Sequence, residues 1–253
     1  MIYKRVAARL KAQDWLAITI EIGIVIIGVF IGMQVSNWNA DRLEKHDIHT
    51  LLFQLRPELE SRTRTSAINH NYYAITDRYA KVALAGWAGD SRVTDRDFAI
   101  AAYNASQIIS SSLDGNSYSL LLGGEQVRKI DDLVLRSAVV RLLSYDYSPV
   151  ALAAVRSAYR DDVRKVLPQA VQEKVRAECG DRVDGDGHTV LAPKCTMALD
   201  PALAASAARA LRAHPELAGE LRQHLSLVAT YLFNLDQLQR RTNAVRQALE
   251  PIK

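Results

Sequence analysis

A long apolar segment near the N-terminus constrains this chain more than any other feature. Residues 15–36 read WLAITIEIGIVIIGVFIGMQVS, with Glu21 as their single charged side chain. As an α-helix they extend roughly 33 Å, enough to cross the hydrocarbon layer of a bilayer, which is about 30 Å thick. A buried core helix usually keeps a polar face, and a cleaved signal peptide has a shorter apolar region before a small-residue cleavage site. We therefore predict one uncleaved transmembrane helix over residues 15–36, because the later segments are too polar to cross again.

The charges beside this segment predict its orientation. Four basic side chains lie in the tail formed by residues 1–14: Lys4, Arg5, Arg9 and Lys11. Behind the segment, only Arg42 and Lys45 lie close to it. Because positive flanks stay on the cytoplasmic side, the tail is predicted to be cytoplasmic and residues 37–253 to be exported.

Aromatic and polar residues mark both ends of the predicted span. The indole rings of Trp15 and Trp38 favour the headgroup layer, and the apolar run ends in Gln34, Asn37 and Asn39. These five residues are the predicted membrane-interface set.

The charge balance argues against a nucleic-acid partner. Of the 32 Lys and Arg and 28 Asp and Glu residues, four and two lie in residues 1–40, which leaves 28 basic and 26 acidic side chains in the rest. An excess of two positive charges is too small for the strong field of a nucleic-acid-binding domain. The basic tail instead suits anionic membrane lipid.

The chain has two cysteines, Cys179 and Cys195, with a Gly- and Asp-rich stretch between them. In an exported domain this pair predicts one disulfide, whereas the opposite topology would leave two free thiols. Asp184, Asp186 and Gly187 resemble part of a calcium loop, but Arg182 occupies the position where that loop needs a carboxylate. A solvated turn is therefore expected rather than a metal site.

The exported part has the apolar periodicity of an all-α protein. From residue 39 to about 85, apolar side chains recur every three or four residues, which predicts a stalk helix over 37–87 that Pro57 must kink or restart. A helical bundle is predicted for residues 88–253, closed in part by the disulfide loop. No run of alternating apolar and polar residues lies beside a hairpin turn, so no strand is predicted.

Local signals predict the helices of this bundle. Thr94 and Asp97 resemble an acidic capping box and open a helix through about Ile109. The remaining predicted features are a short helix that reaches Leu122 and ends at Gly123-Gly124, a helix from Asp131 to about Tyr145, one opened by Ser148-Pro149 and kinked by Pro168 before Glu178, one opened by Asp200-Pro201, and a long helix from Pro215 to about Glu250.

A search for catalytic motifs finds no Gly-rich phosphate loop, no GxSxG elbow and no Cys-x-x-Cys. Glu44, His46 and His49 lie within two helical turns and could share a metal, but a solvated helix face is the favoured interpretation. We therefore predict that the chain is not an enzyme and that it has no catalytic residue, cofactor or metal ion.

Glu21 stands out, because an ionised carboxylate inside hydrocarbon costs several kcal/mol and is by default a candidate for function or partner binding. Glu21, Val25, Gly28 and Gly32 share one helix face, and the two glycines form a GxxxG pair that permits close helix approach. These four residues are the predicted transmembrane contact, in a homodimer or a heteromeric membrane complex. The alternative is that Glu21 only snorkels to the interface.

The span and its exit resemble the N-terminal signature of a family of uncharacterised bacterial single-pass membrane proteins. Members read roughly E-I-x-x-V-x-x-G-x-x-I-[AG]-[LM]-Q-[IV]-x-N-W-N, here EIGIVIIGVFIGMQVSNWN over residues 21–39, and a weaker similarity covers residues 117–147. Gly123-Gly124 departs from the single Gly usual there, and the Cys179–Cys195 loop looks like an insertion. The resemblance implies a membrane-anchored helical domain of unknown function. Together with the charge asymmetry, it predicts a span in the bacterial inner membrane and a periplasmic location for residues 37–253. It transfers no catalytic residue.

Three functional classes follow from the sequence. The favoured one is a membrane-anchored, non-enzymatic interaction or assembly protein. The second is a periplasmic ligand-sensing module, which would need a membrane partner for output because only 14 residues precede the span. The third is an enzyme whose site has no recognisable motif.

Overall fold

The described part of the chain is helical. The computed structural model describes residues 15–109, 122–150 and 156–251, with side chains from residue 19 onward. Within them lie eight α-helices, one 3-10 turn at Ser148–Val150 and one antiparallel hairpin. The helices are α1 (Trp15–Trp87), α2 (Asp95–Ala105), α3 (Gly124–Arg128), α4 (Leu133–Leu143), α5 (Ala158–Val166), α6 (Gln169–Cys179), α7 (Pro201–Arg212) and α8 (Glu216–Leu249). The prediction of an all-α protein with a long N-terminal apolar helix is confirmed.

The chain divides into two compact units, Met1–Phe53 and Gln54–Lys253. The described residues of the first unit belong to α1 alone. The second unit contains the rest of α1, the other helices and the hairpin. The predicted boundaries between tail, span, stalk and bundle stay predictions.

The predicted helix starts that rest on side-chain caps are confirmed. The Thr94 hydroxyl accepts a hydrogen bond from the Asp97 amide at 3.1 Å, and α2 begins at the next residue, Asp95. The Asp200 carboxylate accepts from two amides of the first turn of α7, each at 3.0 Å, with Pro201 in that turn. Both caps satisfy amide groups that have no partner inside the helix. Helix α8 also begins where Pro215 predicts.

The predictions based on proline alone were partly wrong. Helix α1 is not restarted at Pro57, which lies inside it, because a helix can lose the hydrogen bond that proline cannot donate while the turns on either side keep theirs. Ser148-Pro149 begins a 3-10 turn that ends at Val150, and the continuation of the helix predicted there, over residues 151–155, lies outside the described residues. The next described helix, α5, begins at Ala158. Pro168 separates α5 from α6 instead of kinking one helix, since the extended backbone of Leu167 is the conformation that proline imposes on its predecessor.

The helix ends near the glycine pair also differ from the prediction. Gly123-Gly124 lies at the start of helix α3, with Gly123 as its N-cap residue, while the short helix predicted before it lies outside the described residues. Helix α2 ends at Ala105, four residues before the predicted Ile109. Helix α4 is capped by Asp132 and spans Leu133–Leu143, shorter than predicted at both ends.

A short hairpin lies inside the disulfide loop, so the prediction of no strand was wrong. Strand β1 (Asp181–Val183) pairs with β2 (Thr189–Leu191), and Asp181 lies opposite Leu191. Each strand has three residues and β1 is exposed throughout, so neither shows the alternation that marks a strand in sequence. The turn needs Gly187, whose φ is +84°, a conformation that L side chains rarely adopt.

The bond between Cys179 and Cys195 is present, with 5.4 Å between their Cα atoms, and confirms the predicted disulfide. Within the loop, the Asp184 carboxylate accepts hydrogen bonds from the amides of Asp186 and His188, at 3.0 and 2.8 Å. This carboxylate therefore stabilises the turn, as the interpretation of a solvated turn requires.

The core of the second unit lies between α2 and the helices around it. Buried side chains from α1, α2, α5, α6, α7 and α8 pack there as one cluster. Helix α1 approaches α2 very closely at Gly86, where a Cβ would lie 2.2 Å from the ring of Phe98. Trp87 packs edge-on against the same ring and donates from its indole to the Leu211 carbonyl at 2.9 Å. This junction fixes α2 and α7 against the end of α1.

We expect the Cys179→Ser/Cys195→Ser double variant to lower the free energy of unfolding by about 3 kcal/mol, because the unfolded chain regains the entropy of an open loop. Urea unfolding followed by circular dichroism measures the loss. Intact-mass measurement of the unreduced wild type should show two hydrogens fewer than the reduced protein. Rapid alkylation of both cysteines without reductant would contradict the bond.

Candidate functional site

The most unusual surface of the chain is the apolar part of α1. An 18-residue window of this helix has a mean hydropathy of 1.9, and none of it is buried. The large apolar side chains from Ile20 to Val35 each expose between about half and two thirds of their surface. By length and composition this helix can cross a membrane. A soluble core helix would bury these side chains against the rest of the protein.

The structure leaves the predicted contact face open. Glu21, Val25, Gly28 and Gly32 lie on one continuous helix, and at 100° per residue they fall within an arc of about 60°. Glu21 and Val25 are exposed, and a Cβ built on either glycine meets no described atom within 4 Å. The face can therefore receive a second helix, and its role as a contact stays a prediction.

The predicted interface residues all belong to the same helix. Gln34, Asn37, Trp38 and Asn39 are exposed, and Trp38 exposes 64% of its surface. Trp15 begins α1, and its side chain lies outside the described residues. The assignment of these residues to the headgroup layer stays a prediction.

The metal alternative at Glu44, His46 and His49 finds no support in the structure. Across residues 15–109, 122–150 and 156–251, no group of three or more His, Cys, Asp or Glu side chains is arranged to hold a metal ion. His46 and His49 are exposed on α1.

Sequence reasoning missed a polar cluster that joins the hairpin to α1. The Tyr72 hydroxyl, in a side chain only 1% exposed, donates to the Asp181 carboxylate at 2.6 Å. Although Asp181 as a residue is exposed, its carboxyl group is partly enclosed, and this loss of solvent raises its pKa. The hydrogen bond from Tyr72 and the charges of Arg160 and Arg164 act in the opposite direction.

Two arginines of α5 tie this cluster to the end of α2. Arg160 donates to the Ser106 carbonyl at 2.7 Å, and Arg164 donates to the Gln107 side chain at 2.9 Å. The guanidinium of Arg164 also lies over the ring of Tyr103, 4.9 Å from its centroid. Burial, followed by the charge of Arg160, lowers the pKa of Arg164. In this cluster the two guanidinium groups donate to neutral oxygens of Ser106 and Gln107, and Tyr72 donates to the carboxylate of Asp181. The contact with Asp181 positions the hairpin, because Asp181 is the first residue of β1.

A second buried polar pair links α8 to the start of α5. The Nδ1 atom of His224 lies 2.8 Å from the Ser157 hydroxyl, and the imidazole is fully buried. Its Nε2 atom has no hydrogen-bond partner among the described residues. Burial, followed by the charge of Arg160, lowers the pKa of His224 to about 4. The spacing matches that of a nucleophile and its base, but a substrate cannot reach a ring with no exposed surface.

No local sequence motif predicts the contact of Tyr72 with Asp181 or that of Ser157 with His224. Tyr72 and Asp181 are 109 residues apart, and Ser157 and His224 are 67 residues apart. A tyrosine at a helical core position and an aspartate beside a glycine are each explained by packing or by a turn. Only the fold brings them together.

No protein-family model matches the chain, and no match is found among the curated proteins or the solved structures. The resemblance of residues 21–39 to a family of bacterial membrane proteins therefore stays a prediction. Function has to be argued from the chain's own geometry.

The buried imidazole predicts acid sensitivity. Because the pKa of His224 in the fold lies near 4, below the ordinary 6.5, its neutral form contributes stability that is complete above about pH 7 and is lost as the pH falls from 6.5 towards 4. The loss by pH 4 should be about 3 kcal/mol, from 1.36 kcal/mol per unit of pKa.

Urea unfolding of the wild type and of His224→Gln at pH 7.5 and pH 4 isolates this contribution from that of the carboxylates. The glutamine amide introduced by this substitution cannot titrate, so the variant should lose less stability between the two pH values. Equal losses in both proteins would contradict the assignment.

Proposed function

We propose that this chain is a single-pass, membrane-anchored helical protein whose role is interaction or assembly and not catalysis. In this proposal residues 15–36 cross the bacterial inner membrane, residues 1–14 are cytoplasmic and residues 37–253 are periplasmic. The observation that carries the proposal is the apolar segment of α1, which is long enough to span a bilayer and has no buried part. Contiguous exposed apolar surface of this extent is rare on soluble monomers and is typical of surfaces that meet lipid or a partner.

Two independent features support the proposed orientation. The basic residues before the span outnumber those close behind it, which favours a cytoplasmic tail. The disulfide lies far beyond the span, and disulfides persist in oxidising compartments such as the periplasm. An N-terminus on the other side would place the disulfide in the reducing cytoplasm.

The face of Glu21, Gly28 and Gly32 supports assembly through the membrane. Helices in lipid associate by close packing and polar contacts, because the hydrophobic effect does not drive apolar helices together when they are already surrounded by hydrocarbon. The open space over both glycines permits close packing, and a second helix can supply Glu21 with a polar partner. In a homodimer two Glu21 carboxyls would face each other and share a proton, whereas a heterologous partner would offer a cation or a hydroxyl.

Reporter fusions at Lys253 test the orientation. We expect alkaline phosphatase to be active there and a fluorescent protein that folds only in the cytoplasm to be dark, because the C-terminus is proposed to be periplasmic. A fusion after residue 14 of a truncated chain is the cytoplasmic control. An inactive phosphatase with a bright fluorescent protein would overturn the orientation. Release of residues 37–253 from the membrane fraction in cells would identify the segment as a cleaved signal peptide.

Association of the span tests the assembly role. Gly28→Ile and Gly32→Ile should each abolish association in a membrane two-hybrid assay while insertion is retained, because the added side chains hold the helices apart. Glu21→Gln should preserve association better than Glu21→Leu, since an amide keeps the polar contact.

Gly23→Ile is the matched control, because residue 23 lies about 200° around the helix from Glu21 and thus off the proposed face. It should associate as the wild type does. Unchanged association in Gly28→Ile, or an equal loss in Gly23→Ile, would leave Glu21 as a snorkelling residue without a partner.

A further inference from the structure

A groove of about 470 Å³ lies in the second unit, beside the disulfide. Its walls come from residues 78–82 of α1, residues 92–101 at the start of α2, and residues 193–195, which end at the disulfide. Sites for small molecules typically enclose about 300–1,000 Å³, so this groove has the size of a ligand site. All of its residues lie in one compact unit.

The floor of the groove is apolar. Its apolar side chains are Ile100 and Ala101, which are 3% and 2% exposed, together with Val82, Val93 and Pro193. Val82 exposes 37% of its surface, which makes it one of the exposed large apolar side chains of the second unit. An apolar group bound here would exchange contact with water for contact with these apolar side chains, which is favourable.

One wall is fixed by Arg96. Its Nε donates to the Met197 carbonyl at 2.8 Å and its Nη2 donates to the Cys195 carbonyl at 3.0 Å, while Nη1 pairs with Asp97. These contacts hold residues 195–197 against α2. The disulfide then ties the same segment to α6, so this side of the groove is preformed.

The rim carries an excess of positive charge. Arg92 is paired with Asp90, and Arg96 with Asp97. Arg78 and Lys194 are exposed and make neither an ion pair nor a hydrogen bond with any residue that the structure describes. Arg78 and Lys194 therefore place two positive charges, without a neighbouring carboxylate partner among the described residues, beside the apolar floor of the groove.

We propose that this groove binds a small amphiphilic anion, with an apolar body the size of two fused rings and one carboxylate. The apolar body would lie on Val82, Ile100 and Ala101, and the carboxylate would accept hydrogen bonds from Arg78 and Lys194. Charge-assisted hydrogen bonds of this kind are stronger than neutral ones and set the orientation of a ligand. The proposal does not depend on the membrane anchor, and it gives the chain a ligand-binding role beyond assembly.

Calorimetric titration of the full chain in phosphatidylcholine nanodiscs with 2-naphthoate tests the proposal, with empty nanodiscs as the blank. We expect saturable binding to one site per chain. Acetate, which lacks the apolar body, and 2-naphthamide, which lacks the charge, should each bind at least about tenfold more weakly.

The Arg78→Gln/Lys194→Gln double variant should weaken 2-naphthoate binding by about tenfold or more, and Val82→Asp should weaken it as well by placing a like charge on the floor. Arg209→Gln removes an exposed cation from α7, away from the groove, and should bind as the wild type does. Failure of 2-naphthoate to saturate a site would overturn the proposal, as would equal affinities in the double variant and the Arg209→Gln control. A failed reporter-fusion test would overturn the membrane orientation and leave this result unaffected.

Discussion

The disulfide between Cys179 and Cys195 is the constraint on which the hairpin and one side of the groove depend. Polar contacts join the closed segment to the helices around it, and they include Tyr72 to Asp181, Tyr79 to the Ala192 carbonyl, Asn104 to the Cys179 carbonyl, and Arg96 to the Cys195 carbonyl. Its own regular structure is a hairpin of three-residue strands, and an isolated hairpin is marginal in water. Sequence separation between the cysteines is only 16, so the bond keeps the whole segment close to α6. The segment is therefore ordered by the disulfide that joins its two ends and by its contacts with neighbouring helices.

The two units differ in how much of their apolar surface is buried. In the second unit the large apolar side chains form a core, and the exposed ones, such as Val140 and Phe233, are few among the described residues. In α1 between Ile20 and Val35 the exposed apolar residues are nearly continuous. The surface of the second unit is suited to water, and the surface of α1 between Ile20 and Val35 is suited to hydrocarbon. This contrast within one chain is the physical reason for proposing a membrane anchor.

The features that could be predicted from the sequence are those whose interacting residues lie close together along the chain or repeat over many turns. The caps at Thr94 and Asp200 act over two or three residues, and both were predicted correctly. Gly123-Gly124 and Ser148-Pro149 are also local signals, yet each dipeptide is compatible with more than one backbone structure, so neither determines on its own where a helix begins or ends. The long apolar period of α8 was visible because it repeats over many turns.

The candidate sites follow the same division. Glu21, Gly28 and Gly32 could be grouped from helical spacing alone, since they share one helix. The groove could not, because Val82, Ile100 and Lys194 come from three separate segments and each looks ordinary in its own. The same holds for His224, because its partner Ser157 lies 67 residues away, just before α5, and no local pattern in the sequence pairs the two side chains.

The contact of Gly86 with Phe98 has a consequence for how this chain can diverge. A methyl group at position 86 would overlap the ring at position 98, and Trp87 also packs edge-on against that ring. A larger residue at 86 therefore requires a smaller one at 98, and a smaller residue at 98 beside glycine would leave a void. In homologous chains these two positions should therefore vary as a pair, and a sequence that keeps Phe98 should keep glycine twelve residues before it.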